Sequence, residues 1–391
     1  LANEVAVLKP LAFMPRALFK VARKSGDIHQ EIKSKKQELC QIVDICFKTH
    51  YMAGRLTAFT PAFLLPRCCM YLRFLLVGLL STLFTFSPSL ADQPASSPLT
   101  KKVNRVLFLG DSITHSGHYI SMIETRLRLE GIEKELINLG LPSETCSGLS
   151  EPDHPFPRPD VHERLDRALG KLKPDLVVAC YGMNDGIYYP FSEDRFAAYK
   201  SGVQKLIKKV NAAGATLVLM TPPPFDPLPL KKKGKLLPAG QEKYAWFSIY
   251  EDYDAVLKKY ADYVLEQKDG VLMTVNLHSP VNEYTAAIRK ENPDFTMSGD
   301  GVHLDEKGHR ILANVILKAW GYKSAPDNAP LLKIVHQRQS GLHAAWVSHV
   351  GHKRPGVKPG APLEDAQEIA AQQNIKISEL VSKLTSKKTV K

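Results

Sequence analysis

The chain has 391 residues, of which 44% are hydrophobic and 24% charged, with 27 Pro and 24 Gly. That balance belongs to a folded protein with a full core and excludes disorder as its main state. The net charge of +12 is carried by the ends: residues 92–322 hold 29 Lys and Arg against 30 Asp and Glu, so the body has no electrostatic reason to bind nucleic acid.

The first informative element begins at Met70. The stretch MYLRFLLVGLLSTLFTFSPSLADQ has Arg73 in a short basic lead, an apolar run from Phe74 to Phe86 and a small-residue site at Ser89-Leu90-Ala91. Thirteen apolar residues fall short of the roughly 20 that span a bilayer, so the segment reads as a cleaved signal peptide over residues 70–91. Residues 1–69 then read as an upstream extension from an early start, with Met70 as the initiator. The mature chain would begin at Asp92, keep no stable membrane span and lie outside the cytoplasm, in a periplasm or secreted. Only Cys146 and Cys180 remain in it; neither has a C-x-x-C partner, and Cys180, which ends an apolar run, reads as a small buried hydrophobe.

From residue 101 to residue 322 short apolar runs alternate with longer amphipathic stretches. Strands are predicted at Val106–Leu109, Leu136–Leu139, Leu176–Tyr181, Thr216–Met220 and Val271–Val275. Helices are predicted at Tyr119–Glu130, about Phe191–Ala213, Tyr244–Glu266 and Glu306–Trp320. Nearly all-apolar strands alternating with helices imply a parallel sheet covered on both faces, a three-layer α/β/α sandwich. Beyond it, residues 323–391 form a C-terminal helical extension, with helices over Leu331–Ser348 and Leu363–Leu384, a Pro/Gly-rich break between them and a basic tail.

Ligands bind such sheets beyond the carboxyl ends of the strands, so the residues just after each strand carry the chemistry. Those are Gly110-Asp111-Ser112-Ile113-Thr114, Gly140-Leu141-Pro142-Ser143 and Gly182-Met183-Asn184-Asp185, with Asp300-Gly301-Val302-His303 ahead of the closing helix. Each alone is an ordinary turn or cap. Together they supply a hydroxyl, backbone amides, a carboxamide, a carboxylate and an imidazole, the parts of an acyl-transfer site.

The blocks GDSIT, NLG, GMND and DGVH resemble the four signature blocks of the SGNH or GDSL esterase superfamily over Val103 to Trp320, within a hydrolase domain of residues 92–322. The resemblance implies a flavodoxin-like parallel sheet, Ser112 as nucleophile, His303 as base oriented by Asp300, and Ser112, Gly140 and Asn184 as oxyanion-hole donors. It implies no metal and no organic cofactor. The second block departs from the fuller pattern: Leu141-Pro142-Ser143-Glu144 follows Gly140 where a second glycine is common. Physically, a serine hydroxyl needs a neighbouring base, and Asp300, three residues before His303, can curl back to hold the imidazole in one tautomer.

His115 and His118 have no ligand-spaced partners and read as pocket-lining or surface residues, Asp111 as a helix-entry residue and Asp185 as a helix cap. The long segments 222–241 and 144–160 are expected to flank the site as open walls, the first with Lys231, Lys232, Lys233 and Lys235 either meeting an acidic polymer or simply solvated. The function expected is a secreted serine esterase acting on short-chain, acetyl-type esters of carbohydrate. The alternatives are a lysophospholipase or thioesterase on the same fold, or a carbohydrate-binding protein that has lost turnover. The acyl chain, the alcohol and the oligomeric state are not legible at this level.

Overall fold

In the computed structural model, residues 97–389 are described; the segment 70–91, read above as a signal peptide, and the residues before it lie outside them. The apolar run Arg105–Gly110 (β1) ends in a one-turn helix, Ser112–His115 (α1), followed by His118–Leu129 (α2) and Glu135–Asn138 (β2). Then come Val161–Leu172 (α3), Leu176–Cys180 (β3), Glu193–Ala212 (α4) and Thr216–Met220 (β4). The short elements Leu228–Lys231 (α5), Leu236–Leu237 (β5) and Ile249–Tyr250 (β6) precede Tyr253–Glu266 (α6), Met273–Val275 (β7) and His278–Arg289 (α7). Glu306–Ala319 (α8), Ala329–Val350 (α9) and Leu363–Thr389 (α10) complete the chain.

The main sheet is wholly parallel in the order β2-β1-β3-β4-β7. All five residues of β3 are buried, as parallel strands covered by helices must be. From β1 the chain moves to one side for β2 and then crosses to the other for β3. The crevice at the carboxyl ends of β1 and β3 is therefore the topological switch point, where helix entries leave room for a ligand. The fold is a flavodoxin-like three-layer sandwich, with helices added at the C-terminus.

Two sequence expectations are corrected. The helix predicted from Tyr244 starts only at Tyr253; the intervening residues form an Ala245–Ser248 bridge and pair β6 with β5, leaving Trp246 and Phe247 exposed. Helices α3 and α7 went unpredicted. In α3 the apolar stripe of Val161, Leu165, Ala168, Leu169 and Leu172 is broken by a buried Arg164, which hides it from an apolar-run reading.

The C-terminal helices are part of this body. Helix α9 runs along β2, an edge strand, and Gln339 Nε2 donates to the Leu136 carbonyl at 3.1 Å, closing part of an edge that would otherwise be free to pair. On α2 the buried Glu124 carboxylate accepts from Arg128 at 2.6 Å, from Gln339 at 2.6 Å and from Arg338. A charge buried this deeply is tolerated because each carboxylate oxygen has a donor. Among the described residues no helix is long and apolar enough to cross a membrane.

Replacing Glu124 with Leu leaves Arg338 buried without its partner and should lower stability by about 3–5 kcal/mol. The midpoint of urea unfolding checks this; the double variant Glu124→Leu/Arg338→Leu is expected to recover part of the loss.

Candidate active site

Ser112 is the first residue of α1, immediately after β1. The turn is tight: a Cβ on Gly110 would meet Thr114 Oγ1 at 2.2 Å and the Cys180 carbonyl at 2.9 Å, so only glycine fits. Asp111 caps the turn by accepting from the Ile113 amide at 2.9 Å. Burial raises the Asp111 carboxyl to about 7, against the lowering effect of that amide bond and of His303.

His303 comes from the loop ahead of α8 and reaches Ser112 across 191 positions. Its Nδ1 donates to Asp300 Oδ2 at 2.7 Å, leaving Nε2 to accept from Ser112 Oγ at 2.9 Å. Asp300 Oδ1 accepts the amides of Val302 and His303 at 2.9 and 2.8 Å, so the carboxylate is fixed by its own loop. Partial burial opposes the charge on Asp300, but the ring and amide of His303, its charge and the Val302 amide hold the carboxyl well below the usual range. The hydrogen bond to Asp300 raises the His303 pKa above its ordinary value, with burial opposing and the charge of Asp300 assisting. A hydroxyl, an imidazole and a carboxylate in this line allow the hydroxyl proton to be drawn off as its oxygen attacks a carbonyl.

Asn184 follows β3. Its Oδ1 accepts from Arg158 Nη1 at 3.0 Å and from Tyr188 Oη at 2.8 Å, which settles which end of the amide is which. Nδ2 donates one proton to the Glu144 carbonyl at 3.2 Å and keeps the second for the pocket that it lines with Ser112. Arg158 is itself held by a bidentate pair to the buried Glu151, at 2.6 Å on each oxygen.

Gly140 differs from the sequence expectation. Its amide donates to Asn138 Oδ1 at 2.8 Å and its carbonyl accepts from His343 Nε2 at 2.9 Å, so both backbone groups are occupied. It is glycine because a Cβ would lie 2.2 Å from the His115 nitrogen, where the end of β2 crosses α1. Two residues of this loop, Pro142 and Ser143, line the pocket together with Ser112 and Asn184, and Ser143 is held at φ 67°. The left-handed region is strained for a side chain other than glycine, at about 1–3 kcal/mol, and such strain gathers at functional sites. Neither the Ser143 amide nor the Ser112 amide has a hydrogen-bond partner among the described residues. The departure after Gly140 in the second block was the available signal for Ser143.

The loop beneath is tied by buried groups. Glu144 accepts from Arg164 at 2.6 and 2.7 Å and from the Tyr181 hydroxyl at 2.6 Å. Asp185 is not a helix cap: it accepts from the Cys146 and Ser147 amides at 2.8 and 2.7 Å, and burial lifts its carboxyl to about 6. Cys146 and Cys180 are buried free thiols.

The pocket at Ser112 and His303 holds about 230 Å³. The 144–160 segment forms one wall through His154, Phe156 and Arg158. The 222–241 segment does not line it; Lys232 pairs with Asp294 at 2.7 Å and Lys233 donates to the Gly299 carbonyl at 2.8 Å, so two of its lysines brace the loop that delivers His303. Trp246 and Arg354 line the pocket and were not anticipated: one sat inside a predicted helix, the other in a Pro/Gly-rich break with no chemical pattern. His115 packs edge-on to His343, and His118 stacks on His336. Among the described residues no group of three or more His, Cys, Asp or Glu is arranged to hold a metal.

Residues 108–311 match the GDSL-like lipase/acylhydrolase family. No curated protein matches the sequence. Solved structures similar to it include a catalytic mutant of an acetylxylan esterase from Geobacillus stearothermophilus, at 19% identity and TM-score 0.39, covering 60% of this chain and 100% of that one. An acetyl xylan esterase, AlAXEase, matches at 23% identity and TM-score 0.38, covering 55% and 98%. A GDSL-like lipase from Bacteroides thetaiotaomicron matches at 19% and 0.35, covering 56% and 89%. With more than half its length matched by one family and a hydroxyl, imidazole and carboxylate aligned at the switch point of its sheet, the chain belongs to the GDSL-like lipase/acylhydrolase family and is a serine ester hydrolase.

Proposed function

We propose that the protein is an exported esterase that removes short acyl groups, acetyl foremost, from carbohydrate through an acyl-enzyme on Ser112. The observation that carries this reading is the line from Asp300 through His303 to Ser112, at 2.7 and 2.9 Å, opening on a small pocket. In the first half-reaction Ser112 Oγ attacks the ester carbonyl while His303 Nε2 takes its proton; His303 then returns that proton to the departing sugar hydroxyl. In the second, water attacks the acyl-serine with His303 again as base, releasing the carboxylic acid and restoring Ser112. The negative oxygen of each tetrahedral intermediate would be met by the Ser112 amide, Asn184 Nδ2 and the Ser143 amide, the last in place of Gly140.

The short acyl group is supported by size: about 230 Å³ lies below the roughly 300–1,000 Å³ of sites for drug-sized ligands. The carbohydrate is supported by Trp246, which is 51% exposed at the pocket and offers a flat face for the C–H side of a sugar ring. Export is supported by the signal-like segment over residues 70–91.

On a panel of acetylated sugars, aryl esters of graded chain length and lysophospholipids, turnover should be fastest for acetyl esters and fall with chain length; faster turnover of long chains would favour a lipase-type reading. In the same assay Ser112→Ala should lower kcat by about 10⁶-fold. Asn184→Ala, which removes one donor, should lower it by about 10²-fold to 10³-fold. Ser143→Gly, which keeps the amide and relieves the strain, should stay active.

Because only neutral His303 can take the proton, kcat/KM should rise with pH through a pKa above 6.5, held up by Asp300. Asp300→Asn should move that limb to lower pH and reduce kcat by about 10⁴-fold, as a pH–rate profile would record.

N-terminal sequencing of protein recovered outside the cytoplasm is expected to start at Asp92; recovery of the chain only in the cytoplasm would contradict export.

A further inference from the structure

A second cavity, of about 480 Å³, adjoins the first and shares Pro142 and Arg354 with it. It lies between the end of β2 and the C-terminal extension, with His115, His343 and Lys358 in its lining. Neither cavity has an Asp or Glu in its lining. Arg354 stands at the junction. Its Nε donates to the Pro142 carbonyl at 3.0 Å and Nη1 to the Pro355 carbonyl at 2.6 Å, while its guanidinium lies 5.0 Å over the Phe156 ring. Nη2 has no partner, and no carboxylate lies within ion-pair distance of Arg354 or Lys358, among the described residues.

The other arginines around the same loop are neutralised: Arg158 by Glu151 and Arg164 by Glu144, each at 2.6 Å. Arg354 is half-buried and keeps its charge without a protein counter-charge, its partial burial alone lowering its pKa. Arginine stays cationic regardless, and its planar fork is suited to carboxylate and sulfate oxygens. This unpaired cation stands at the junction between the Ser112 pocket and the second cavity.

We propose that the substrate is an acyl ester of an anionic sugar, whose carboxylate or sulfate is received by Arg354 at the mouth of the second cavity, with Lys358 as the outer cation. This rests on the reading of Ser112 and its pocket as an esterase site and assigns the alcohol that the reading left open. Arg354 lies beyond the residues that match the family, so the extension supplies a specificity determinant of this chain's own.

The test uses three O-acetylated oligosaccharides of equal length, one neutral, one bearing carboxylates and one bearing sulfates. The full protein should show a higher kcat/KM on at least one anionic form than on the neutral one, and the favoured anion identifies the group. Arg354→Gln should lower the anionic-to-neutral ratio by about 10-fold to 100-fold, the range for one charge-assisted hydrogen bond, and Arg354→Lys should restore part of it. A wild type indifferent to charge overturns the proposal. So does an Arg354→Gln variant that loses both activities equally, which would leave Arg354 only as a prop for the Pro142 loop. Calorimetry of the deacetylated sugars with Ser112→Ala and Ser112→Ala/Arg354→Gln separates the two readings: anionic binding that depends on Arg354, with no ester turned over by the wild type, would keep this site and remove the esterase assignment.

Discussion

The hydrogen bond between His303 Nε2 and Ser112 Oγ joins residues 191 apart, and almost every other feature of the body makes that contact possible. Side chains from distant segments can be held to within tenths of an ångström only by rigid elements beneath them. Here those elements are β1, whose in-register pairing with β2 and β3 sets where Ser112 emerges, and the loop before α8. That loop is tied from behind by the 222–241 segment: Asp226 donates its amide to the Gly301 carbonyl at 2.9 Å and accepts from Arg289 and Thr296. Two lysines of that segment, Lys232 and Lys233, add surface ties to the same loop.

A second layer of order comes from buried ion pairs under the loop that follows β2. Arg164 with Glu144, and Arg158 with Glu151, are costly to desolvate and add little net stability, but they have direction. Glu144 fixes the loop carrying Ser143 while its carbonyl receives Asn184, and Arg158 turns the Asn184 carboxamide so that its nitrogen faces the pocket. Buried pairs of this kind hold one arrangement, since breaking either would strand a buried charge. The strained Ser143 backbone is sustained by that surrounding network.

The C-terminal extension has a larger part than a cover. Helix α9 covers part of the β2 edge, His343 holds the Gly140 carbonyl, and the segment after α9 places Arg354 against Pro142. One continuous piece of chain therefore covers part of the sheet edge, braces the loop at the nucleophile and supplies a cation at the pocket.

The sequence by itself determined the parallel α/β architecture, because strands buried on both faces must be almost wholly apolar and five such runs are plain to read. It also singled out Ser112, Asn184, Asp300 and His303 as the candidate residues, because each sits at the end of a strand or the entry to a helix, where the fold class concentrates chemistry. What it could not reach were the properties of packing. The occupied amide of Gly140, the left-handed backbone of Ser143, the ties of the 222–241 segment and Arg354 at the cavity junction depend on contacts between segments far apart in the chain. Only the tertiary structure decided these: local pattern records which face of an element is apolar, but whether an amide already has an acceptor, or a guanidinium a counter-charge, depends on what the rest of the chain brings beside it.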